Sequence, residues 1–145
     1  MAGYSQKPLW LKLGLGEQEQ LVLIDAPARW RVPGRPATAE VRRERARDGD
    51  EGAAAAILAF FVSLSALREQ LPRLAPRIFP AGALWVAWPR RAAGHESDIR
   101  ESDIRELALP LGLVDVKVAA IDDDWSGLRL VWRVERRQRA HTKRG

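Results

Sequence analysis

LVDVKVAAIDDDWSGLRLVWRV, residues 113–134, decides the fold of this chain. It reads as two strands, Leu113–Ile121 and Leu128–Val134, joined by Asp122–Gly127, and that connection is short enough for an antiparallel hairpin. Ahead of it, Ser97–Leu109 is predicted to be a helix. Ile99, Leu107 and the interior of the repeated pentapeptide ESDIR supply its apolar stripe, and Glu96/Arg100 and Glu101/Arg105 are spaced as i,i+4 pairs. Pro110 and Gly112 end it, and the repeat is too short to define a repeat architecture.

Further back, short apolar runs alternate with helical spacing. GALWVAW, Gly82–Trp88, is a buried strand stopped by Pro89, with Trp85 and Trp88 at odd spacing and so on opposite faces. Ala53–Val62 is the clearest buried strand. Ser63-Leu64-Ser65 follows it, where a serine can cap the helix continued by Leu67, Leu71 and Leu74, with Pro72 set to shorten or kink it. Gln20–Ile24 (QLVLI) is apolar on both faces and is expected in the middle of a sheet. Between these two strands, Arg29–Glu51 is rich in charge, proline and glycine, and only Ala37–Val41 reads as a short edge strand. Pro8–Leu13 opens the chain as a short helix.

Helices alternating with buried strands imply a three-layer, Rossmann-like α/β domain with a mostly parallel sheet, right-handed crossovers and a C-terminal antiparallel hairpin. With 145 residues, 46% of them hydrophobic, there is enough chain for one core and too little for two. Of 24 basic and 19 acidic residues, six and one fall in Arg133–Gly145, leaving 18 of each in the body. The expected organisation is one domain, 1–134, and a basic, disordered tail, 135–145. The chain has no cysteine, which excludes thiolate chemistry and cysteine-ligated metals. No signal peptide is read in the N-terminal residues, and the longest uncharged run is too short to span a bilayer, so a cytoplasmic protein without membrane contact is expected.

The hairpin, together with LWLKLGLGEQEQLVLIDAPA leading into the first strand, resembles the class I methyltransferases. That resemblance implies a methyltransferase-like sheet with adenosylmethionine bound at a glycine-rich turn after the first strand. In this chain Ala26 and Ala28 stand where two glycines would lie, Pro27 between them has no N–H, and the strand acid falls one residue late, at Asp25. No cofactor is therefore expected, with adenosylmethionine as the alternative. The chain is also similar to an uncharacterised bacterial family (domain of unknown function 3052) in three ordered blocks. These are MAGYS with PLWLKLG, then ALWVAWP, then GLVDVKVAAIDDDWSGLRLVW. That resemblance implies the fold and carries over no site.

Ligands of a doubly wound sheet bind beyond the carboxyl ends of its parallel strands. Asp25, Ser63, Arg90, Arg91, Trp125 and Ser126 are therefore expected along one edge as ligand-binding residues. Arg90 and Arg91 could grip a phosphate or carboxylate, or be solvated loop arginines. Trp125 could lie over a ligand or cover the end of the core. Asp122–Asp124 could offer oxygens to a cation but match no calcium loop, and a solvated turn fits them as well. Asp115 and Lys117 alternate on one face, as a surface pair or with a buried lysine. His95 and His141 read as isolated, exposed side chains, and no metal site or catalytic residue is assigned.

Three functions follow. The first is a noncatalytic methyltransferase-like domain binding a small ligand, a protein partner or a second copy of itself at that edge. The second is a small adenosylmethionine-dependent or nucleotide-using transferase. The third is a nucleic-acid-associated protein acting through its basic tail, the least supported because the body is neutral.

Overall fold

The computed structural model describes residues 7–16 and 19–137. The opening MAGYS, most of the basic tail and His141 lie outside the described residues. Six strands, β1 (Gln20–Ile24), β2 (Glu40–Glu44), β3 (Ala56–Phe60), β4 (Ala83–Pro89), β5 (Leu113–Ala120) and β6 (Trp125–Trp132), form one sheet in the order β2-β1-β3-β4-β6-β5. The first four strands of that order run parallel, and β6 is antiparallel to both β4 and β5. The expected Rossmann-like sheet with its terminal hairpin is what the chain forms, and β1 sits inside it as its two-sided apolarity required.

Both faces are covered, but unequally. Helices α2 (Leu64–Leu74) and α3 (Glu101–Ala108) pack Leu67, Leu71 and Ile104 onto Ile57, Val86 and Leu128. The other face, built on Leu21, Leu58 and Trp85, is covered among the described residues by the single-turn helix α1 (Leu9–Lys12), Leu13 and Leu15 after it, and the irregular segment 25–39. Trp85 and Trp88 belong to opposite faces, as their spacing demands. Segment 25–39 joins β1 to β2 without a helix. Pro27, Pro33 and Pro36 break helical hydrogen bonding there, and Asp25 and Arg29 turn the backbone through φ of +54° and +65°. Gly34, at φ +81°, lets this segment lie against Pro8, where a Cβ would come 2.2 Å from the Pro8 Cβ. The Trp10 N–H then donates to the Pro33 carbonyl at 3.0 Å.

Four local expectations need correction. The edge strand is Glu40–Glu44, not Ala37–Val41: parallel register sets Leu21 beside Val41, and the remaining EVRRE side chains are polar, so no apolar run marks it. The helix expected from Ser97 starts at Glu101. Residues before it are used elsewhere: Ser97 Oγ accepts from the Ile99 N–H, and Asp98 accepts from the Leu64 N–H at the start of α2. Glu96 and Arg100 are therefore not helical neighbours, whereas Glu101 and Arg105 do pair. Pro72 lies inside α2, which ends two residues later at Leu74 and tightens into a 3₁₀ turn at Ala75–Ile78. Finally, Asp115 and Lys117 do not share a face. A β-bulge between them shifts the alternation, so Asp115 meets Arg105 of α3 while Lys117 reaches the Lys12 carbonyl at the end of α1.

Gly82 enters β4 where backbone crowds it: a Cβ would lie 2.8 Å from the Ile78 carbonyl oxygen and 2.9 Å from those of Ala54 and Ala55. Because backbone cannot swing aside as a side chain can, Gly82→Ala is expected to destabilise the fold by about 1–3 kcal/mol, read by urea unfolding.

Candidate functional site

The carboxyl ends of β1, β3 and β4 lead into Asp25, Ser63 and Arg90, and the Pro89–Trp125 pairing brings the hairpin turn to the same edge. The topology thus gathers the six expected residues along one rim, but their side chains divide into different tasks.

Asp25 accepts a hydrogen bond from the Ala46 N–H at 3.2 Å and lines a cleft. Ser63 caps α2, accepting from the Ala66 N–H. Arg90 faces the turn: its Nη1 donates to the carbonyls of Asp122 and Asp123, and its N–H donates to the carbonyl of Asp124 at 2.8 Å. Arg91 donates to the Ser97 carbonyl at 3.3 Å. Ser126 is not in a loop, because β6 begins at Trp125 and pairs Ser126 with Trp88 and Ala120. The turn closes early since Asp122 Oδ1 accepts from the N–H groups of Asp124 and Trp125, both at 2.8 Å.

Asp122 Oδ2 also accepts from the Trp30 indole at 2.9 Å, so this carboxylate holds two segments at once. His95, expected alone, lies 2.8 Å from Asp124. Among the described residues no group of three or more acidic or histidine side chains is placed to hold a metal ion. No helix there is long and apolar enough to cross a membrane.

The open space at this rim divides between a cleft of about 600 Å³ lined by Asp25, Phe60, Val62, Glu69, Arg73 and Trp125 among others, and a second of about 490 Å³ lined by Asp25, Ala26, Ala28, Arg43 and Glu44 among others. Trp125 and Phe60 meet edge to face at 4.9 Å between centroids, and Trp30 continues the row at 5.0 Å from Phe60. Trp125 covers the end of the core, as one of its two expected roles had it, and it also lines the cleft. Ser63, Arg90, Arg91 and Ser126 stand outside that lining.

Sequence reasoning missed Glu44. It ends β2 directly beside Ile24, about 20 residues along the chain, which is where a dinucleotide-type fold places the acid that binds a ribose hydroxyl. Displacing the edge strand to Ala37–Val41 hid that signal. In this structure both Glu44 oxygens are engaged by Arg77, at 2.9 and 3.1 Å, while Arg77 Nε donates to the Gly52 carbonyl at 2.6 Å. Arg77 is only 3% exposed. Arg42 adds a second contact to Glu44 at 2.8 Å.

No protein-family model matches the chain, and comparison with curated proteins finds no match. Solved structures do match. The chain is similar to an O-methyltransferase from neocarzinostatin biosynthesis in complex with S-adenosylmethionine, at 15% identity and TM-score 0.58, over 91% of this chain and 51% of that one. It is similar to magnesium protoporphyrin IX methyltransferase from Synechocystis PCC 6803 with bound S-adenosylmethionine, at 10% identity and TM-score 0.54, over 86% and 74%. It is also similar to the antibiotic-resistance methyltransferase Kmr, at 16% identity and TM-score 0.50, over 86% and 92%. The chain spans about half the length of the first of these. The fold is Rossmann-like and methyltransferase-like.

Tested against a cofactor of that class, the residues do not fit at the ribose position. The acid is bound bidentately by a buried arginine, and the turn at Asp25–Ala28 carries a proline and no glycine. No helix follows this turn to offer its N-terminus to an anionic group.

Two predictions follow from these contacts. Asp122→Ala removes the acceptor of three hydrogen bonds and is expected to cost about 1–3 kcal/mol in urea unfolding, with altered fluorescence as Trp30 loses its partner. The exposed Asp50 carboxylate is held below its ordinary value of 3.8 by the Gly52 N–H, with Arg77 and Arg42 adding to this against desolvation. Its contribution to stability is therefore present above that value and lost as pH falls through the lowered one. Asp50→Asn should flatten this part of the acid-unfolding curve.

Proposed function

We propose that this chain is a methyltransferase-like domain that binds a small ligand in the cleft between Asp25 and Trp125, without catalysing a reaction of its own. The observation that carries the reading is the cleft itself. It opens at the carboxyl edge, where this topology places ligands, and has an aromatic wall from Phe60 and Trp125. The noncatalytic part draws support from the occupied Glu44 and the proline turn. Membership of the uncharacterised bacterial family and a cytoplasmic location belong to the same reading. A protein partner or a second copy at this rim is a lesser form of it.

The second reading is an adenosylmethionine-dependent transferase, and the structural neighbours favour it, since two of those described above are methyltransferases with S-adenosylmethionine bound.

Calorimetric titration of the full chain with S-adenosylmethionine and S-adenosylhomocysteine separates the two. Saturable binding that weakens roughly tenfold in Trp125→Ala, as loss of an aromatic platform predicts, with no S-adenosylhomocysteine formed, supports the first reading. Formation of S-adenosylhomocysteine in proportion to protein and acceptor establishes the second. Heats of dilution alone from a folded sample remove adenosyl ligands from both.

A further inference from the structure

We infer that Arg77 is a selectivity residue: by taking both oxygens of Glu44, it closes the ribose position, so that the rim receives ligands without recognising a ribose diol. The inference rests on reading this edge as a ligand site and says which chemistry that site leaves out.

Three observations carry it. Glu44 has the strand position and the spacing of a ribose-binding acid, yet its side chain is only 9% exposed. Arg77 meets it in a fork of two bonds and is itself fixed by a third, from Nε to the Gly52 carbonyl. Arg77 gives one N–H to each oxygen and Arg42 gives another to Oε2, so a hydroxyl reaching this carboxylate meets a charge already shared among charge-assisted donors and gains less from it than from a free one. Arg42 and Asp50 extend the network around the pair at 2.8 and 3.9 Å, so neither partner can turn outward without breaking a neighbouring contact. The aromatic half of the rim has no such occupant. Phe60 and Trp125 line the cleft, and a planar group can enter there.

The test uses the full chain with adenosine and 2′-deoxyadenosine as probes, read by calorimetry, while the Arg77 guanidinium N–H signal is followed by NMR. For the wild type, the two nucleosides should behave alike, and the Arg77 signal should stay protected throughout. Arg77→Met should then favour adenosine by about tenfold, the worth of one hydrogen bond to a freed carboxylate. A wild-type preference of that size that Glu44→Gln erases would overturn the inference. So would an Arg77→Met protein that folds, by circular dichroism, and still treats both nucleosides alike.

Should Arg77→Met fail to fold, Arg77→Lys replaces it. It keeps the charge but loses the fork, and a smaller gain in the same direction is expected, its absence again counting against the inference. The two failures are distinguishable: a mistaken ligand site shows as indifference to Trp125→Ala, and a mistaken selectivity residue shows as ribose preference in the wild type.

Discussion

Arg77 and Glu44 hold together two parts of the chain that hydrophobic burial alone would not join. β2 is an edge strand of sequence EVRRE, with a single partly buried apolar side chain, Val41. The central strands β1, β3 and β4 are instead fixed by apolar residues on both faces. At β2 that contribution is small, and the fork from Arg77 fastens its last residue to the 3₁₀ turn that follows α2. A buried pair of this kind adds little net stability compared with well-packed apolar residues, because both charges lose their hydration. Removing one partner, however, costs about 3–5 kcal/mol by leaving the other uncompensated. The pair thus matters less as a source of net stability than as a contact whose loss would leave a buried charge at the end of β2.

The same distinction explains what the sequence disclosed. β1, β3 and β4 are continuous apolar runs and the hairpin is two strand-forming segments around a short polar turn, so their order disclosed the sheet and its carboxyl rim. Those signals are local, since each strand's burial is written in its own side chains. β2 was misplaced because its stability comes from a partner in the chain 33 residues away. The start of α3 was misjudged because Asp98 serves the N-terminus of α2 instead of its own helix. The Asp115/Lys117 alternation failed at a bulge, and a period of two has no way to announce an inserted residue.

The rim was legible as a place and only partly as a site. Topology alone put Asp25, Ser63, Arg90 and Trp125 at one edge, but it does not say which side chains are already engaged. Ser63 is occupied in capping a helix, and Arg90 in tying the hairpin turn to the end of β4. Asp25 and Trp125 remain on the cleft. Glu44 was the reverse case: absent from the sequence reading, placed by the structure at the ribose position, and engaged there from within.

These assignments give the rim two unlike halves. Along β1 and β2 the polar groups satisfy one another: Glu44 with Arg77 and Arg42, Asp25 with the Ala46 N–H, and Arg43 with the Trp30 and Pro27 carbonyls. A ligand entering the cavity on that half meets polar groups that already have partners, and the net gain from each further bond is small. Along β3 and β6 the wall is aromatic, and contact with it removes apolar surface from water without displacing an existing partner. Affinity at this rim should therefore come from the aromatic half. On the proposed reading, selectivity at this rim rests on a planar, apolar contact and not on recognition of a ribose.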